Sequence, residues 1–150
     1  MKVSLRVTYG IIAAVDLALH DAEQPVCAKS IAKRRAIPAR FLEQVLHAMK
    51  KAGVVTSQRG AQGGYVLSRK PSEVSVADIL HALEGPLMET NGAAGSRSAA
   101  TRGAKREVLL AHIWDRVKQA ELSVLSEVTV EELAKRQRAL EAQHSLMYHI

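Results

Sequence analysis

Residues 59–65 read Arg-Gly-Ala-Gln-Gly-Gly-Tyr and fall between two short apolar runs, VVTS at 54–57 and GYVL at 64–67. Three glycines within five positions restrict the backbone here more than any other stretch of the chain. Glycine supplies the positive φ that a tight reversal needs, so the two runs are read as strands of a hairpin. Clustered glycines also cradle nucleotide phosphates, but that use needs Lys followed by Ser or Thr at the mouth of a helix. Here Tyr65 and a strand-like run follow the last glycine, so the nucleotide reading is set aside.

The segments ahead of the hairpin are helical in pattern. Residues 8–19 place Tyr9, Ile12, Ala13, Asp16 and Leu19 at three- and four-residue intervals, the period of one helix face. Pro25 interrupts it. Residues 28–36, AKSIAKRRA, form a short basic helix with Ile31 and Ala32 turned inward. Pro38 then suits the first position of a further helix, and Gly53 the left-handed residue just past its end. Between them Phe41, Leu42, Val45, Leu46 and Met49 make an apolar stripe, and Arg40, Glu43, Gln44, His47 and Lys51 make the opposite, polar one.

Helix, short helix, amphipathic helix, glycine, strand, glycine turn, strand is the order of a winged helix-turn-helix. In that arrangement the second helix of the pair enters the DNA major groove and the hairpin is the wing. The charge agrees. Residues 1–70 carry 12 Lys and Arg against 4 Asp and Glu, whereas residues 71–150 carry 9 against 11. The positive field belongs to the N-terminal half, where Arg34, Arg35, Arg40, Lys50, Lys51 and Arg59 are expected on or near a DNA-facing side.

The C-terminal half reads differently. Ser75 and Asp78 form a loose capping box ahead of Ile79, Leu80 and Leu83, and Gly85-Pro86 ends that helix. Residues 86–106 lack periodicity and are expected to be a flexible loop. A long helix over 107–127 carries Leu110, Ile113, Val117, Ala120, Val124 and Val128 near a 3.5-residue spacing, with Trp114 beside the seam. So long an apolar stripe calls for a partner helix, and a homodimer is expected. Thr129 to Glu132 is a T-x-x-E capping box opening a last helix. The expected organisation is a DNA-binding domain over 1–85, the loop, dimerisation helices over 107–142 and a poorly ordered tail at 143–150. The fold class is mainly α with a small two-stranded β wing.

IAKRRAIPARFLEQVLHAMKKAGVV, SQRGAQGGYVLSR, ALEG at 82–85, Tyr9, Trp114 and VTVEEL at 128–133 together resemble the Rrf2 family of bacterial transcription regulators. The likeness spans roughly residues 1–135. It implies a homodimer that binds a partly palindromic operator in the cytoplasm, most simply as a repressor. It implies that Glu43 reads bases from the recognition helix, that Arg59 enters the minor groove, and that Arg40 faces bases near the helix start. Gly60, Gly63 and Gly64 would bring the wing backbone close to the duplex.

Many members of the family hold an iron–sulfur cluster on three cysteines in the loop after ALEG. The corresponding stretch here, GAAGSRSAATRGAKR, contains no cysteine and no histidine. Thiolate ligation needs thiols, so a chain without cluster or other cofactor is expected. The single cysteine, Cys27, lies at the start of the second helix, where the helix dipole favours a thiolate. It is read first as a small packing residue and second as a redox-sensing thiol. His144 and His149 supply too few ligands for a metal site. No nucleophile–base pair, metal cluster or nucleotide loop supports an enzyme. The competing reading is a winged-helix protein-interaction module, with an unidentified protein or small molecule as effector. No run is long and apolar enough for a membrane span.

Overall fold

The computed structural model describes residues 3–20, 24–85 and 103–148. Most of the expected loop, residues 86–102, and His149 lie outside the described residues. Six helices and one two-stranded sheet are found among the described residues.

α1 (Leu5–Leu19) starts three residues earlier than the periodicity predicts, because the Ser4 hydroxyl accepts from the Val7 backbone N–H and caps the helix there. α2 (Ala28–Arg35) stops one residue short of expectation. Ala36 turns left-handed at φ +53° and closes the helix. α3 (Ala39–Lys51) takes Pro38 as its N-cap, not as its first helical residue. Its C-terminus closes as expected at Gly53, whose φ is +80°. The Gly53 N–H bonds the Lys50 carbonyl at 3.0 Å and the Val54 N–H bonds that of Met49 at 2.9 Å, a Schellman closure.

Strands β1 (Val55–Gln58) and β2 (Gly64–Leu67) pair antiparallel, Val55 opposite Leu67 and Gln58 opposite Gly64. β1 is displaced by one residue from the predicted run. The hairpin also has a third contact that periodicity does not reveal. Val26, just before α2, exchanges two backbone hydrogen bonds with Tyr65, at 2.9 and 2.8 Å. A 3-10 turn at Pro71–Glu73 leads into α4 (Val76–Glu84), which opens with the full Ser75–Asp78 capping box.

The core is aliphatic. Leu42, Val45, Leu46 and Met49 of α3 meet Val7, Ala13 and Ala14 of α1 and Ile79, Leu80 and Leu83 of α4. Gly10 lets α4 approach α1, since a Cβ there would run into the Leu83 and Ile79 side chains. Tyr9 meets Phe41 edge-on, with ring centroids 5.4 Å apart.

α5 (Gly103–Glu127) and α6 (Val130–Tyr148) complete the chain. Their joint is tied to the segment ahead of α4. The Val76 N–H bonds the Val128 carbonyl and the Val130 N–H bonds that of Val74. Thr129 caps α6 through the Glu132 N–H, but the Glu132 carboxylate turns to Arg136, so only half of the predicted capping box forms. α6 runs to Tyr148, six residues into the stretch expected as a poorly ordered tail.

Candidate nucleic-acid interface

α3 sorts its side chains as its pattern requires. Arg40, Glu43, Gln44, His47, Lys50 and Lys51 are all exposed, and Leu42, Val45, Leu46 and Met49 are all buried. The exposed groups fall on one face because 40, 43, 44, 47 and 51 are spaced by three or four. Basic, amide and imidazole groups surround a single carboxylate, Glu43, which has no salt bridge among the described residues. A lone carboxylate on a cationic face contributes little to polyanion affinity and suits selection, since it accepts from a cytosine amino group.

The wing carries Arg59 beside its turn, exposed to solvent. The glycines around it each have a local task in the hairpin. Gly60 has φ +121° and supplies the turn conformation. At Gly63 a Cβ would strike the Gln58 carbonyl, and at Gly64 it would strike the Val26 backbone. Gly63 and Gly64 therefore also shape the hairpin and dock it on the residue before α2, a local task that the sequence pattern did not reveal.

Arg34 and Arg35, expected on or near the DNA-facing side, each carry an ion pair within the fold. Both bind Asp16 of α1, the one buried charged residue among the described residues. Arg34 donates from Nη2 at 2.8 Å and Nε at 3.3 Å, and Arg35 donates from Nε at 2.7 Å. Arg35 also lies 3.6 Å from the Glu141 carboxylate of α6. Burial pushes the Asp16 carboxyl up, but the hydrogen bonds and charges of Arg34 and Arg35 outweigh it and hold the group below the ordinary carboxylate range. The same contact pushes Arg34 up. Sequence reasoning placed Asp16 on a buried helix face without giving it a partner. An acid at an apolar register, with two adjacent arginines downstream, was the available signal.

Cys27 is exposed at the N-cap of α2, and its thiol makes no capping hydrogen bond. His144 packs edge-on against Tyr148 within α6. Among the described residues no group of three or more His, Cys, Asp and Glu could hold a metal ion. On α5, Leu110, Ile113, Trp114, Val117 and Val124 are exposed, Trp114 by 58% and Val117 by 42%. Val128, the last residue of the predicted seam, is instead half-buried at the α5–α6 joint.

Comparison with known proteins decides what this arrangement is. Residues 3–136 match the family model described as Rrf2, iron-dependent transcriptional regulator. The chain belongs to the Rrf2 family. It is 36% identical over 134 residues to the HTH-type transcriptional regulator CymR of Bacillus subtilis, covering 89% of this chain and 90% of that protein. It is 32% identical over 144 residues to the regulator IscR of Xenorhabdus nematophila, covering 94% of this chain and 84% of that protein. The solved structure of B. subtilis CymR, described as a global cysteine regulator, superposes with a TM-score of 0.71 at 34% identity over 91% of this chain and 98% of that one. That of T. potens IscR gives 0.70 at 37% identity, covering 91% and 88%. The winged helix is thus that of an Rrf2 regulator, and the chain is a DNA-binding transcription regulator, not an enzyme.

The chain lacks the set of thiols by which an iron–sulfur cluster is held. Residues 86–106 hold no cysteine and no histidine, and the one thiol, Cys27, sits at the N-cap of α2.

Proposed function

We propose that the protein is a cytoplasmic homodimer that represses transcription from a partly palindromic operator without an iron–sulfur cluster. Recognition is divided between two elements. Glu43 selects bases in the major groove, flanked by Arg40, Gln44 and His47, while Lys51 meets phosphate. Arg59 on the wing enters the minor groove, where a narrow, electronegative floor draws a guanidinium. The observation that carries this reading is the single unpaired carboxylate on the otherwise basic or neutral exposed face of α3. Paired α5 seams would hold two such heads at a fixed spacing, as two half-sites require. The missing thiols support the cluster-free state, and iron and sulfide analysis of anaerobically purified protein would overturn it by finding stoichiometric iron.

The two arms are tested by fluorescence anisotropy on operator DNA, first located by genome-wide footprinting, and on scrambled DNA across a salt series. Glu43→Ala costs roughly 1–3 kcal/mol on the operator and leaves scrambled DNA unaffected or tighter. Arg59→Ala weakens both and lowers the log–log salt slope by about one. Equal losses on both DNAs with equal slopes would refute the division. Wild-type protein that binds no DNA would favour the protein-interaction module.

A further inference from the structure

Between the wing and the outer face of α2 lies an open, polar groove of about 810 Å3. Cys27, Ser30 and Arg34 line it from α2, and Gln58, Arg59 and Gln62 from the wing. None of the described lining residues is acidic. Arg34 is held in a particular way. Its Nε and Nη2 are both committed to Asp16, whose side chain is fully buried, while its own side chain stays 40% exposed. The guanidinium is fixed in orientation, and its remaining donors are left for a ligand. A pre-oriented fork loses little side-chain freedom when it binds an anion.

We propose that one sugar-phosphate strand of the DNA runs through this groove between Arg34 and Arg59, and that Asp16 is the positioning residue that presents Arg34 to it. The proposal rests on the DNA-binding reading above and names a third contact for it. Geometry favours a strand over a small anion. A wing in the minor groove and a recognition helix in the adjacent major groove are separated by one backbone, and the first helix of a helix-turn-helix crosses that backbone. The groove is open and carries an arginine on each wall, so a small anion held by Arg34 would stay solvated, whereas a strand offers phosphates to Arg34 and Arg59 alike.

The test uses full-length protein and a labelled duplex of arbitrary sequence, since phosphate contacts need no operator. Affinity is measured over a potassium chloride series. Arg34→Gln should lower the salt slope by about one, as loss of one phosphate contact requires. Arg35→Gln removes the other arginine from Asp16 but leaves the slope unchanged. Ser30→Glu places an acid in the groove at the third position of α2, where a helix tolerates it well, so thermal stability holds while affinity falls about tenfold at low salt. Asp16→Asn keeps the Arg34 charge but loosens its orientation, so the slope stays and affinity falls several-fold. Arg34→Gln and Ser30→Glu proteins that are folded and bind like wild type would overturn the strand path. Equal slope changes for Arg34→Gln and Arg35→Gln would reduce the Asp16 cluster to a structural tie. A folded Asp16→Asn protein of wild-type affinity would remove its positioning role. Wild-type protein that binds no duplex would bring down the DNA-binding reading itself, and with it this proposal.

Discussion

Ala36 holds a conformation that suits glycine. Its φ of +53° closes α2, and the Ile37 N–H reaches back to the Ala32 carbonyl at 3.0 Å. The Ala36 side chain is exposed, so its Cβ gains no packing in return for the strain. Ala36→Gly should therefore stabilise the fold by roughly 0.5–1 kcal/mol, the relief of strain exceeding the added freedom of the unfolded chain. The check is a higher urea midpoint at unchanged slope. Asp16 makes the opposite kind of contribution. Its carboxyl is held below the ordinary range in the folded protein, so its stabilisation is complete above the unfolded value and is lost as pH falls through the folded one. Asp16→Ala should cost roughly 2–4 kcal/mol at neutral pH, towards the lower end because both arginines keep some water. The variant should lose less further stability on acidification than wild type does. Thermal unfolding between about pH 7 and about pH 3 measures both effects. A wild-type and variant difference that stayed constant across that range would show that the charge of Asp16 is not what stabilises it.

The wing depends on more than its own hairpin, because β2 is held on one side by β1 and on the other by Val26. Gly64→Ala drives a Cβ into the Val26 backbone, which cannot move without shifting the start of α2. The expected cost is about 1–3 kcal/mol, with α-helical circular dichroism largely retained and DNA affinity reduced because Arg59 loses its place. Unchanged stability and affinity would show that the wing docks elsewhere. This element also marks the boundary of what sequence discloses. The α3 stripes, the Gly53 closure, the Ser75 cap and the glycine turn were legible because each is a local rule, satisfied within a few residues. The Val26–Tyr65 pairing and the Asp16 cluster bring together residues 39 and 18 or 19 positions apart. No period or cap links such positions, and only packing brings them together. The same limit explains Arg34 and Arg35. Composition correctly placed positive charge in the N-terminal half but could not show which cations were already engaged. Thr129 and Glu132 fit a capping box by spacing, yet Arg136 one turn on competes for the carboxylate.

At the scale of the whole molecule, α5 exposes an apolar face from Leu110 to Val124 that its own domain leaves uncovered. Leu122 and Leu125 instead turn partly inward, and Leu125 packs against the core. Two apolar registers on one helix therefore have different destinations, one internal and one external. Burying the external one against a second copy removes Leu110, Ile113, Trp114, Val117 and Val124 from water at once, with each large side chain contributing about 1.5–3 kcal/mol when fully covered. Val117→Glu with Val124→Glu should therefore yield a folded monomer. The N-terminal domain should be unaffected, since neither side chain reaches its core. Operator affinity should fall by at least about a hundredfold, because one head alone loses the high effective concentration that a linked second head provides. Affinity for a single half-site should barely change. Sedimentation equilibrium at micromolar concentration reads the first outcome and anisotropy on one-half and two-half operators reads the second. A wild-type protein that sediments as a monomer would remove the seam as an interface. A dimeric double variant would place the interface elsewhere, with Leu140 and Met147 on α6 the next apolar residues exposed to meet a partner.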